Sequence, residues 1–345
     1  MRNTRNTKGI ELWFTLGPSS REPNAIKDMI VAGATGARLT LSYSTPDWHI
    51  DKAKLLKETA KSLGTTCTVV ADLEGEKYRV GNFNSPQHLK IKAGDNITFV
   101  SSLKTWELVS NCIPIKSADF FKFVNAGDKI VIGDASAVLL VESKKDDQVE
   151  ARAIGDGTIN PNRGILTQNT LFRPSSFTKK DKQDIIALFK EPTLFDAIAL
   201  SFVSSAQVLE DVRDLMHDYG VNFPLVAKIE TQSGVDNIDS IAEEADYLMA
   251  ARGDLALFTP WIDLYYQVQR IAEAAKTHGK KWVLATQLAE GLERFAFPTR
   301  AEICDLSHWL SVGLDGAMLS YETAFGPKPK EALECITMLI DRWAR

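Results

Sequence analysis

The stretch Leu225–Gly234, LVAKIETQSG, reads as a covered strand running into a helix. Its apolar residues are nearly continuous rather than alternating, the pattern of a strand packed on both faces in a parallel α/β sheet. Lys228 and Glu230 interrupt the run, and side chains two apart on a strand share a face. A structural salt bridge is one explanation, although buried pairs are costly enough to need a reason. A chemical site is the other, and the rest of the chain decides between them.

Working outward, the same strand-then-helix unit recurs. Short apolar runs appear at IELWFTLG (10–17), GARLTLS (36–42), TCTVVADL (66–73), FDAIALSFV (195–203), ADYLMAARGD (245–254), KWVLATQ (281–287) and DGAMLS (315–320). Each is followed by an amphipathic stretch, and Gly33, Gly64, Gly220, Gly279 and Gly313 stand where helices prefer to stop. Eight such units in 345 residues predict an α/β fold of the (β/α)8 TIM-barrel type rather than a doubly wound sheet.

The third unit is interrupted. Residues 76–173 carry strand patterns joined by Gly-Asp turns, so the expected organisation is a discontinuous barrel, 1–75 and 174–345, with a small all-β domain inserted after strand 3. The recurring AGD-x-I at Ala93–Ile97 and Ala126–Ile130 reads as shared turn chemistry rather than a true repeat. Insertions after barrel strands fall on the active-site face, so this domain, read as a small β-barrel, is expected to serve as a lid.

Composition excludes several classes. A net charge of −5 offers no footprint for nucleic acid or an anionic membrane. No apolar run approaches the roughly 20 residues of a membrane helix, and the basic start MRNTRNTKG is followed by no apolar leader, so a cytoplasmic location is expected. The four cysteines form no CxxC and the five histidines no HExxH, so reduced thiols and no zinc site are expected.

In barrels of this type, polar residues at strand C-termini read as catalytic. Here they accumulate: Arg38 and Ser42, Asp72, Lys228 and Glu230, Asp254, Thr286, then Ser320 and Glu322. Glu230 and Asp254, on neighbouring strands, suit Mg²⁺ (or Mn²⁺), which takes one or two carboxylates and completes its shell with substrate oxygens. Lys228 and Arg38 add positive charge suited to a transferring phosphoryl group. The RGDLA segment leads towards a helix whose free amides, with the Thr286 hydroxyl, could hold a carboxylate. The small molecule implied carries both phosphate and carboxylate.

Together the motifs TLGPSS, GARLTLSYST, ADLEGEKYRVG, AKIETQSGVDNID, ARGDLA, ATQLAEGL, PTRAEICD and MLSYETAFG resemble the pyruvate kinase family in order and spacing, from about Trp13 to Glu334. The resemblance implies phosphoryl transfer from phosphoenolpyruvate to ADP, giving pyruvate and ATP. It implies that Lys228 stabilises the migrating group, Glu230 and Asp254 hold Mg²⁺, and Thr286 with the Gly253–Asp254 backbone holds the carboxylate. Ser320 and Glu322 would serve proton delivery to the enolate. Arg38 would contact phosphate, and Thr15, Pro18, Thr40, Tyr43, Arg79 and Arg163 would lie on the nucleotide side.

Departures from the family shape further expectations. Relatives usually carry a C-terminal regulatory domain, whereas this sequence stops after the eighth helical pattern, so no effector control of that kind is expected. A homo-oligomer through the barrel stays open. At the relatives' monovalent-cation site the matching positions are Thr40, Ser42, Asp72 and Leu73, with Lys77 where a glutamate is usual. Leucine cannot ligate a cation and a tethered ammonium can supply the charge, so Lys77 is expected to replace K⁺. SYS at 42–44, GDA around Asp134 and Arg163 for a lysine alter the acceptor side. Two alternatives therefore stand beside ADP: another acceptor or enolate chemistry on phosphoenolpyruvate or a 2-oxo acid, and a non-catalytic relative.

Overall fold

A computed structural model describes residues 9–76, 78–83, 88–101, 112–133, 135–168 and 177–344. Eight parallel strands close into a barrel in which each pairs with its neighbours in chain order and the first also pairs with the last. They are β1 (Glu11–Thr15), β2 (Gly36–Thr40), β3 (Thr68–Asp72), β12 (Ala197–Leu200), β13 (Leu225–Ile229), β14 (Tyr247–Ala251), β15 (Lys281–Ala285) and β16 (Gly316–Leu319). Between them run α1 (Pro23–Val31), α2 (Pro46–Ser62), α4 (Lys179–Leu188), α5 (Gln207–Asp218), α6 (Gln232–Asp236), α7 (Ile238–Glu244), α8 (Arg252–Phe258), α9 (Leu264–Thr277), α10 (Arg300–Ser311), α11 (Tyr321–Ala324) and α12 (Pro329–Trp343). The apolar spacing of GVDNIDSIAEE (234–244) is that of one helix, but the chain divides at Asn237 into α6 and α7. Among the described residues no helix is long and apolar enough to cross a membrane.

Strand alternation explains why the runs looked continuous. One set of side chains, including Leu12, Phe14, Leu39, Val69 and Leu248, packs outward against Ile26, Leu56, Val212, Ile271 and Leu333 of the helices. The other set, Trp13, Val70, Ala199, Val226, Met249, Val283 and Met318, fills the barrel interior. Gly36 makes room there: a Cβ at this position would lie 2.7 Å from Trp13 Cδ1 and 2.8 Å from the Thr68 carbonyl oxygen.

The chain divides into two compact units, Met1–Gly75 with Ser175–Arg345, and Glu76–Pro174. The second holds β4 (Leu89–Ile91), β5 (Asn96–Ser101), β6 (Cys112–Ile115), α3 (Phe120–Phe123), β7 (Lys129–Ile132), β8 (Ala137–Lys145), β9 (Gln148–Ala153), β10 (Gly157–Ile159) and β11 (Ile165–Gln168). Six of these strands form one sheet, β11-β7-β8-β9-β5-β6, and β10 pairs with β4. Arg79 bridges to Gly164 beside β11, and Val80 to Ile115 in β6, so one short segment links the two sheet edges. The two AGD turns are chemically the same. Gly94 and Gly127 take φ of +92° and +91°, and Asp95 and Asp128 each accept from the amide three residues back, at 2.8 and 2.9 Å.

Where the barrel chain departs into the insert and returns from it, one buried carboxylate fastens both ends. Asp181 Oδ1 accepts from the Glu74 and Gly75 amides at 3.1 and 3.3 Å. Its Oδ2 accepts from the Thr178 hydroxyl at 2.6 Å and from the Thr178 amide at 3.2 Å, the latter closing the capping box that starts α4.

Candidate active site

On five of the barrel strands the interior-facing residues turn from apolar to polar at the C-terminal end. Trp13 gives way to Thr15, Gly36 to Arg38, Val70 to Asp72, Ala199 to Ser201, and Val226 to Lys228 and Glu230. Register brings them together, since Thr15 pairs with Arg38, Arg38 with Val70, and Ala199 with Asp72. At the centre lies Asp72, buried at 1% exposure. Its Oδ2 is 2.5 Å from Arg38 Nε and its Oδ1 3.1 Å from Lys228 Nζ. Lys228 Nζ also donates to Ser201 Oγ at 2.6 Å and lies 3.4 Å from Glu230 Oε1. Ser201 Oγ donates in turn to the Leu73 carbonyl at 2.8 Å, and Arg38 Nη1 reaches Thr15 Oγ1 at 3.3 Å.

Two cations and two carboxylates thus share a largely buried cluster, in which Asp72 and Lys228 favour each other's charged form. Burial pushes the Asp72 carboxyl up, but Arg38 and Lys228 together outweigh it and hold the group below the ordinary carboxylate range. Burial would lower Lys228, yet Asp72 and then Glu230 outweigh that effect and keep the ammonium above the ordinary lysine value. Glu230 is held in place by the Phe202 amide, which donates to Oε2 at 2.7 Å from a residue with φ of +55°.

Thr286 lies on a strained turn at the end of β15. It and Gln287 take φ of +71° and +53°, a left-handed backbone that is costly for a β-branched residue. Gly253 is its neighbour, for a Cβ there would sit 3.5 Å from Thr286 Cγ2. Glu322 is buried and accepts from three amides: Leu288 at 3.0 Å and Ala289 at 3.3 Å through Oε1, and Ser320 at 2.8 Å through Oε2. The Ser320 hydroxyl is buried without a hydrogen-bond partner. Asp254 stands in the first turn of α8, partly exposed.

The remaining expected residues are spread more widely. Thr40 and Ser42 are half-buried at the end of β2, Tyr43 is 62% exposed, and Pro18 is exposed. Leu73 is buried, its amide bonded to the Ala199 carbonyl at 2.9 Å. Arg79 and Arg163 belong to the inserted unit, where Arg79 Nη1 donates to the Asn162 carbonyl at 3.2 Å and Arg163 is exposed. Lys77 and Asp134 lie outside the described residues.

A family model described as pyruvate kinase, barrel domain, matches residues 5–333. The chain belongs to the pyruvate kinase family. Pyruvate kinase 2 of Synechocystis is 30% identical over 332 residues, 95% of this chain and 55% of that protein. The pyruvate kinase of Agrobacterium vitis is 30% identical, covering 98% of this chain and 70% of its own length. That of Haemophilus influenzae is 31% identical, covering 96% and 69%. The chain therefore spans from about half to about two thirds of these curated relatives. The crystal structure of pyruvate kinase from Pyrobaculum aerophilum superposes with a TM-score of 0.85 at 27% identity, covering 98% of this chain and 74% of that one.

Carboxylates are the kind of hard donor that a divalent ion shared with substrate would take. Among the described residues no group of three or more His, Cys, Asp or Glu is placed to hold a metal alone. Glu230 and Asp254 could supply two carboxylates, and the harder remaining ligands would be substrate oxygens and water. Two residues beside these groups carry no signal of their own in the sequence. Ser201 falls in LSFV and reads as an ordinary strand-end serine, although its two-residue spacing from Ala199 marks the inward face. Arg252 is overshadowed by Asp254 in ARGD, and its partners are distant in sequence.

Proposed function

We propose that this protein transfers the phosphoryl group of phosphoenolpyruvate to ADP, with Mg²⁺ or Mn²⁺ held between Glu230 and Asp254. The observation that carries the reading is the Lys228 ammonium, 6% exposed, fixed by Asp72, Glu230 and Ser201 and adjacent to Arg38 through the shared Asp72. A buried cation held at full charge acts on a phosphoryl oxygen with little screening by water. Arg38 offers a second contact to the same group. The Thr286 hydroxyl, with the Gly253 and Asp254 amides, orients the substrate carboxylate. Ser320 and Glu322, beside that turn, serve the proton that reaches the enolate carbon as pyruvate forms. The bound divalent ion would supply neutralisation of the phosphate and enolate oxygens.

Potassium independence belongs to the same proposal. Both Asp72 oxygens face protein cations, Arg38 at 2.5 Å and Lys228 at 3.1 Å, and Leu73 is a buried apolar side chain. These features support a site whose positive charge is built in.

A coupled assay tests the whole reading. Pyruvate should form from phosphoenolpyruvate only with ADP and a divalent ion, and its rate should be flat on K⁺ titration. Lys228→Met should lose at least about 10²–10³-fold in kcat. Metal-dependent enolisation of pyruvate without nucleotide turnover would instead support the alternative enolate chemistry, which the altered 42–44 segment keeps in view.

A further inference from the structure

We infer that Arg252 is a positioning residue: it clamps the strained turn that presents Thr286 and is itself anchored by Asp305 on α10. The inference rests on the assignment of Thr286 to the substrate carboxylate. The guanidinium reaches three consecutive carbonyls, with Nε 3.4 Å from Ala285 O and Nη2 2.6 Å from Thr286 O and 3.3 Å from Gln287 O. Its Nη1 pairs with Asp305 Oδ2, and the other oxygen of Asp305 accepts from Trp309 Nε1 at 2.9 Å. Trp309 is buried and meets Trp282 of β15 edge-on at 5.5 Å, so the anchor is packed as well as hydrogen-bonded.

The geometry of the turn makes such a clamp necessary. Two successive non-glycine residues in the left-handed region, one of them β-branched, persist only where their surroundings over-determine them. Arg252 holds the turn by its carbonyls, while Glu322 holds Leu288 and Ala289 by their amides. A planar five-donor fork can serve several carbonyls at once, which a lysine ammonium cannot do in the same geometry. Displacing the Thr286 hydroxyl by as little as 1 Å would disturb substrate orientation rather than the charge of the pocket.

The test uses Arg252→Lys in the full chain, with steady-state kinetics and amide hydrogen exchange at residues 286–289. Exchange should quicken, and kcat/KM for phosphoenolpyruvate should fall on the order of 10²-fold, mostly through KM. Asp305→Asn should show a milder version of both effects, and it replaces Arg252→Lys if that variant does not fold. Exchange within twofold of the parent in both variants overturns the clamp. Faster exchange with unchanged KM overturns its bearing on substrate. If the parent itself does not turn over phosphoenolpyruvate, the proposed function fails, yet exchange still decides whether Arg252 holds the turn.

Discussion

Replacing Asp72 by Asn keeps the shape of the pocket and removes the charge between its two cations. At an effective dielectric of about 20, a unit charge attracts its partner by about 5 kcal/mol at the 3.1 Å to Lys228 and about 7 kcal/mol at the 2.5 Å to Arg38. Much of this is offset by the desolvation that burial imposes on each ion. Breaking a buried pair by removing one partner costs about 3–5 kcal/mol in net stability. For a barrel of this size that lowers the thermal midpoint by on the order of 10 °C.

The functional consequence follows from the same charges. Without Asp72, burial and the nearby Arg38 both push the Lys228 pKa down, with only Glu230 opposing them. The parent should show no alkaline loss of kcat/KM attributable to Lys228 below its ordinary value near 10.4, whereas Asp72→Asn should acquire one at lower pH. Thermal melts by circular dichroism and a pH–rate profile read the two effects. An unchanged midpoint together with an unchanged alkaline limb would refute the argument that Asp72 sets the charge of Lys228.

Two further outcomes are expected. His49 is buried, with Nε2 2.7 Å from the Tyr43 carbonyl and Nδ1 without a partner. Burial lowers its pKa more than that carbonyl and Asp184 raise it. The unfolded chain therefore takes up a proton below about pH 6.5 that the folded chain resists, so stability is full above that pH and falls below it by up to about 1.4 kcal/mol per pH unit. Urea midpoints of His49→Gln should be flatter between pH 6.5 and 5; parallel slopes would count against it. Gly36→Ala should cost about 1–3 kcal/mol, because the added Cβ meets Trp13 and the Thr68 carbonyl oxygen; a loss under about 0.5 kcal/mol, in melts followed by tryptophan fluorescence, would contradict that packing.

How much of this was legible depended on whether a property is periodic or tertiary. The eight strands and their helices could be read because burial on both faces leaves a continuous apolar run, and because Lys228 and Glu230 sit two apart on β13. The site's polar end was legible for the same reason, as the strand ends are where the runs break. Asp72 was harder. Its strand-end position and the family likeness both single it out, but its pairing with Arg38 and Lys228, which lie 34 and 156 positions away, is tertiary. Ser201 and Arg252 were missed because a serine or arginine at a strand end gains meaning only from its partners. The break between α6 and α7 at Asn237 was not visible, since the apolar spacing runs through it.

The fastening at Asp181 also bears on how such a molecule came to be assembled. Because the outgoing backbone at Glu74–Gly75 and the returning one at Thr178 meet at a single side chain, the intervening hundred or so residues form an excursion from one spot. An ancestor could have acquired that excursion, or a descendant could shed it, with the cylinder's hydrogen-bond ladder left whole. The gap to be spliced would be no wider than a short loop.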